Sequence, residues 1–135
     1  MAKVADFGLA RQLKDGRQDY TVHSSVAFRW AAPEIFLSHR HSSASDVWAF
    51  GVLCWEVFSP PHSQPWTGLA NQGEVIQAVV HRRQVLAAPR GCDSAMWAAV
   101  QPCFAYDAHK RPTFAQLHAT LGSLSVARPA QYLIP

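Results

Sequence analysis

The sequence predicts a mainly α fold that forms one part of a larger domain. Three observations carry this. Apolar residues recur at helical spacing in four segments, near 46–58, 74–81, 96–104 and 114–124. Polar residues able to cap a helix stand before each of them: Ser45, Asn71, Asp93 and Thr113. The only strand-like stretch, Lys3-Val4-Ala5, has no predicted partner strand and needs something outside these segments to pair with.

In chain order, Lys3-Val4-Ala5 runs into a turn at Asp6-Phe7-Gly8. Residues 11–25 are polar, contain Gly16 and read as an exposed loop, long enough to be functional. Ala32-Pro33-Glu34 opens a short helix, with Pro33 in the first turn, where its missing N–H costs little. Residues 40–45 are a polar entry to the segment 46–58, which is apolar nearly all round and so predicts a helix buried on every side. Pro60, Pro61 and Pro65 end it.

Asn71 and Glu74 predict an N-cap with an acidic third position, opening a helix to about His81 whose apolar face is Val75, Ile76, Val79 and Val80. Pro89-Arg90-Gly91 is a turn. Asp93 caps a helix carrying Met96, Trp97, Val100 and Phe104, with a kink expected at Pro102. Thr113 and Gln116 form a capping-box pattern before Phe114, Leu117, Leu121 and Leu124. Residues 125–135 have no helical period and read as a tail.

Composition narrows the function classes. The 135 residues are 49% hydrophobic and 16% charged, against a usual charged share of about 25%, which argues against disorder of the whole chain. Twelve Lys+Arg against nine Asp+Glu give a net charge of +3. These charges are scattered rather than gathered in a stripe, so nucleic acid is not the expected partner. Cys54, Cys92 and Cys103 are odd in number and lack C-x-x-C spacing, so reduced thiols are expected rather than a disulfide scaffold or zinc site. His39 and His41 lack further ligands at suitable spacing and read as loop histidines. The longest apolar run, Val47 to Phe58, contains Glu56 and is too short to cross a bilayer.

Four motifs follow one another in a fixed order: Asp6-Phe7-Gly8, Ala32-Pro33-Glu34, Asp46-Val47-Trp48-Ala49-Phe50-Gly51 and Arg111-Pro112-Thr113-Phe114. Together they closely resemble the eukaryotic protein kinases from the magnesium-binding loop to the end of the C-terminal lobe, over roughly residues 3–124. Arg29-Trp30 before A-P-E and the pair Trp55-Glu56 are similar to the tyrosine-specific branch. Ala27 departs from that branch, which usually has a proline there. The resemblance implies a partial protein kinase-like fold spanning residues 1–124, with an activation segment at 6–34, a helical C-lobe at 35–124 and a tail at 125–135.

The resemblance also implies roles. In phosphoryl transfer the protein mainly positions groups and neutralises charge. Asp6 would hold Mg²⁺ against the phosphates of ATP, Phe7 would pack beneath it, and Gly8 would give the turn its freedom. Tyr20 would be phosphorylated, ordering the loop through arginines, with Arg29 a phosphate-pairing candidate. Val26, Ala27, Phe28, Arg29 and Trp30 would form the platform under a substrate tyrosine. Glu34 and Arg111 would make a buried ion pair. Asp46 would anchor the catalytic loop, and Leu53 and Val57 would support the apolar column beneath the adenine. Tyr20 or Tyr132 could dock a phosphotyrosine-binding domain. The setting implied is the cytoplasm or the cytoplasmic side of a membrane receptor.

These residues contain no Gly-rich loop, no strand lysine paired with a helix glutamate, and no H-R-D-x-x-x-x-N loop, so the N-lobe and catalytic loop are absent from them. The expectation is therefore a fragment of a protein-tyrosine kinase, inactive alone, whose complete form transfers the γ-phosphate of MgATP to protein tyrosine. Two alternatives remain: a non-catalytic C-lobe module that binds or competes, and a piece of a tyrosine-kinase-like Ser/Thr kinase.

Overall fold

A computed structural model of the chain describes residues 3–5, 7, 10, 12, 19–21 and 27–126. Its axis is α2 (Ser43–Phe58), around which α1 (Pro33–Ser38), α3 (Gln72–Ile76), α4 (Ser94–Val100) and α5 (Phe114–Val126) are arranged. The mainly helical fold expected from periodicity is what forms.

The helices α2 to α5 each start where a side chain can satisfy otherwise unpaired N–H groups, whereas α1 follows Ala32, which caps nothing, and opens on Pro33, which has no N–H to satisfy. At α2 the Ser42 hydroxyl accepts from the Ser45 N–H at 3.2 Å, and the Ser45 hydroxyl accepts from the Ser42 N–H at 2.8 Å. This reciprocal box starts the helix at Ser43, earlier than the apolar run alone indicates. Asn71 caps α3 by accepting from the Glu74 N–H at 3.0 Å, and Asp93 caps α4 by accepting from the Met96 N–H at 2.9 Å. At α5 the Thr113 hydroxyl accepts from the Gln116 N–H while the Gln116 side chain accepts from the Thr113 N–H. α5 continues to Val126, past the point where its apolar period fades.

Helix ends follow local chemistry too. His39 takes a left-handed conformation (φ 53°) and returns its N–H to the Ile35 carbonyl, closing α1. α3 widens into one π turn over Gln77–His81, keeping Ala78, Val79 and Val80 buried. Pro102 converts the end of α4 into a 3-10 turn, Gln101–Phe104, at the expected kink.

Two short strands were not visible in the pattern. β1 (Asp19–Thr21) pairs antiparallel with β2 (Arg40–Ser42), Tyr20 opposite His41. Residues 11–25 are therefore not loop throughout, and 40–42 are more than a helix entry. Strands of three residues with mostly polar side chains offer no alternation to detect.

The core gathers Trp48 and Val52 of α2 with Ile35, Val75, Val79, Trp97, Val100 and Phe104. Trp48 and Phe104 meet edge to face, centroids 5.4 Å apart. A second cluster joins Val47, Cys103 and Leu117, with Phe50 packed against it. Gly51 lets these clusters close on α2, because a Cβ there would lie 2.8 Å from Cys103 Cβ and 3.0 Å from Phe104 Cζ.

α2 is not buried on every side, as its composition implied. Asp46 is exposed, Leu53 keeps 51% of its surface and Val57 69%. These positions repeat at helical spacing and form one stripe along α2. Among the described residues, no helix is long and apolar enough to cross a membrane.

Candidate functional site

Glu34 lies in the first turn of α1 and Arg111 just before α5, 77 residues apart in sequence, yet their side chains meet. Arg111 Nη1 and Nη2 reach Glu34 Oε1 and Oε2 at 2.7 and 2.8 Å, a bidentate pair. The guanidinium also donates to the carbonyls of Ala105, Ala44 and Tyr106. A guanidinium has five N–H bonds, and here each has an acceptor. The Arg111 side chain is fully buried (0% exposed) while Glu34 keeps 23%. Trp48 lies beneath, with the guanidinium carbon 5.2 Å from its ring centroid. This knot ties α1, the start of α2 and the 105–111 segment to one another.

A second set of contacts fixes the turn at Phe28–Trp30. Arg29 Nη1 donates to the Pro65 and Trp66 carbonyls and its Nη2 to the Leu69 carbonyl, at 2.8, 3.3 and 2.8 Å. Trp66 Nε1 returns a bond to the Arg29 carbonyl at 3.1 Å. Arg29, expected to be poised for a phosphate, is thus engaged with the 65–69 loop. Trp30 Nε1 donates to Glu56 Oε2 at 2.7 Å, which gives a physical reason for Arg29-Trp30 and Trp55-Glu56 to occur together. Phe28 and Trp30 pack against the main core. The turn is therefore a rigid ledge, held by the core below and the 65–69 loop beside it. Sequence reasoning assigned Trp66 to no element; a large apolar residue inside a proline-rich polar stretch was the available signal.

The exposed stripe of α2 is the third feature. Although Asp46 is exposed, enough neighbouring atoms displace water from its carboxyl that desolvation pushes its pKa above the ordinary 3.8, against the opposing pull of His41. Among the described residues its carboxylate accepts no hydrogen bond. Phe7 is 69% exposed; the packing expected of it beneath Asp6 involves a residue outside those described. The thiols of Cys54 on α2 and Cys103 in the 101–104 turn are quiet: burial pushes both up to about 11, leaving them protonated and weakly nucleophilic at neutral pH.

Of the remaining site expectations, Asp6, Gly8, Val26 and Tyr132 lie outside the described residues. Tyr20 lies on β1. No group of three or more His, Cys, Asp or Glu able to hold a metal occurs among the described residues.

The family described as protein tyrosine and serine/threonine kinase matches residues 1–121. The chain is 36% identical over 135 residues to discoidin domain-containing receptor tyrosine kinase B of Caenorhabditis elegans, covering 94% of this chain and 17% of that protein. It is 39% identical over 128 residues to ephrin type-B receptor 3 of Gallus gallus, covering 92% and 13%. It is 35% identical over 122 residues to tyrosine-protein kinase Fer of Rattus norvegicus, covering 90% and 14%. The chain thus spans between 13 and 17% of the length of these relatives.

Proposed function

Because this chain belongs to the protein kinase family, with tyrosine kinases as its relatives, we propose that it supplies the activation segment and helical C-lobe of a protein-tyrosine kinase. The complete domain moves the γ-phosphate of MgATP to a tyrosine on a protein substrate. The observation that carries this reading is the ledge at Phe28–Trp30, held by Arg29 on three carbonyls and by Trp30 on Glu56. A positioning surface must not yield when substrate presses on it, and misplacement by about 1 Å can cost roughly 100-fold in rate.

Other residues take supporting parts. Val26 to Trp30 form the substrate platform. Glu34 and Arg111 brace the end of the activation segment. Asp6, an oxygen donor suited to a hard cation, would hold Mg²⁺, which when bound neutralises phosphate charge; Phe7 and Gly8 shape that turn. Asp46 anchors the backbone of the catalytic loop, a role that uses a carboxylate left without a hydrogen bond among the described residues. Leu53 and Val57 support the floor of the nucleotide site. Phosphorylation of Tyr20 orders the loop, and Tyr20 or Tyr132 in that form docks a phosphotyrosine-binding domain. The protein acts in the cytoplasm or at the cytoplasmic face of a membrane.

The 135 residues contain no H-R-D loop and no strand lysine paired with a helix glutamate, so a polypeptide of this length transfers no phosphate. An antibody to residues 125–135 tests the proposal on the native protein. A recovered band well above 14.9 kDa that phosphorylates a tyrosine peptide from ATP is expected. Transfer to serine peptides alone would place the parent in the tyrosine-kinase-like Ser/Thr branch. A single band near 14.9 kDa without transfer would make the chain a non-catalytic module.

A further inference from the structure

Beside the 65–69 loop, α2 ends in a cleft of about 600 Å³ between its C-terminus and residues 84–90. Trp55, Pro60 and Trp66 form one wall; Val85, Leu86 and Pro89 form the other. The second wall is fixed at two points. Gln84 donates its N–H to the Ala78 carbonyl at 2.9 Å, and Trp55 Nε1 donates to the Ala87 carbonyl at 3.0 Å. Around these points the backbone groups of Val85, Leu86 and Ala88 make no hydrogen bond among the described residues. Unpaired backbone beside an apolar trough is what an extended chain can pair with.

Arg90 lines the cleft, and Arg82 and Arg83 precede its lining residue Gln84 in the chain without lining it themselves. Arg83 holds a left-handed backbone (φ 50°) with its guanidinium carbon 4.6 Å from the Tyr106 ring centroid, and the Tyr106 hydroxyl donates to the Val80 carbonyl at 3.4 Å. The turn is therefore held rather than loose. All three arginines are exposed and none forms an ion pair among the described residues.

We propose that this cleft docks an extended acidic peptide segment: apolar side chains at its centre, against Trp55 and Trp66, a carboxylate against Arg90, and further carboxylates drawn by the exposed Arg82 just beyond Gln84. Six residue steps from 84 to 90 span at most about 20 Å, the reach of roughly seven extended residues. The unpaired backbone groups of Val85, Leu86 and Ala88 favour a polypeptide, whose backbone can pair with them, over a lipid surface, which offers no such ladder. The proposal is independent of phosphoryl transfer and stands whether or not the parent protein is catalytic.

The test uses the full chain and a fluorescein-labelled peptide, Glu-Glu-Leu-Ala-Leu-Glu-Glu, with two controls: Lys in place of every Glu, and Ser in place of both Leu. Anisotropy should show saturable binding of the first peptide only, weakened by added salt. R82E combined with R90E, both exposed and outside the core, should weaken it by about tenfold. In indole ¹⁵N–¹H spectra the peptide should shift Trp55 and Trp66 while Trp48 and Trp97 stay in place. Equal binding of the Lys peptide, no effect of the double reversal, or binding of phosphatidylserine vesicles but not of the peptide would each overturn the proposal.

Discussion

The two long sides of α2 meet opposite fates. At one side the helix start is sealed: Arg111 is fully buried and every N–H of its guanidinium has an acceptor, two of them on Glu34. At the other, Leu53 and Val57 stand 51% and 69% exposed and the Asp46 carboxylate accepts no hydrogen bond among the described residues. The same helix thus carries a closed polar knot and an open, mostly apolar stripe. A buried charge is tolerated only when completely satisfied, so the knot must be finished within the chain. Apolar side chains left in water cost far less per residue, so the stripe can wait for a partner surface without unfolding the helix.

The strongest way to break this contrast is to open the knot. Arg111→Ala or Glu34→Ala should each lower stability by about 3–5 kcal/mol, the second because it strands a buried guanidinium. Arg111→Lys should also destabilise, since an ammonium has three donors and cannot reproduce the bidentate fork or reach all three carbonyls. Urea unfolding followed by tryptophan fluorescence reads all three. If Arg111→Lys unfolds at the wild-type midpoint, the completeness of the hydrogen-bond set is not what matters there.

Next in size is Gly51→Ala. Its Cβ would fall 2.8 Å from Cys103 Cβ, an atom tied directly to backbone, so α2 and the 101–104 turn must move apart. Overpacking of this kind costs about 1–3 kcal/mol, enough to offset the better helix propensity of alanine. A thermal melt that rises instead of falling would show that the contact relaxes freely.

Much of this was legible in the sequence. Period and caps marked the helices because α-helical pattern is local: Asn71 with Glu74 and Thr113 with Gln116 announce themselves within four residues. The resemblance to the protein kinases implied the pairing of Glu34 with Arg111, 77 residues apart. Three features were not legible, each for a physical reason. β1 and β2 are held by backbone bonds, which side-chain alternation over three polar residues does not report. The engagement of Arg29 depends on three carbonyls of the 65–69 loop, and carbonyls are the same in every residue. The open stripe of α2 escaped because hydrophobicity says only that a side chain would be better buried, not that anything arrives to cover it.

The stripe itself supports a sharper test of the contrast. Leu53→Glu with Val57→Glu should leave the midpoint within about 0.5 kcal/mol of wild type, as surface changes usually do, while reducing self-association seen by light scattering, since a charged stripe no longer offers an apolar patch. A loss of more than about 2 kcal/mol would mean that the stripe is packed in solution and that the contrast between the two sides is false.

The smallest effect expected is the pH dependence contributed by Asp46, and its sign follows from the direction of its pKa. Desolvation raises the carboxyl above 3.8 in the folded chain, so just above that pH the folded state holds more proton than the unfolded state. Stability from this group is then present at low pH and declines as pH rises from about the unfolded value through the raised folded value. Because the residue is exposed, solvent screens much of the effect. Asp46 also sits in the first turn of α2, where its negative charge is favoured by the helix dipole, so the absolute stability of Asp46→Asn mixes two opposing contributions. The slope separates them: wild type minus Asp46→Asn, measured by urea midpoints between about pH 4 and 6, should fall with rising pH. A difference that rises would mean that His41 and the helix dipole outweigh desolvation, and that this end of the stripe is already settled within the chain.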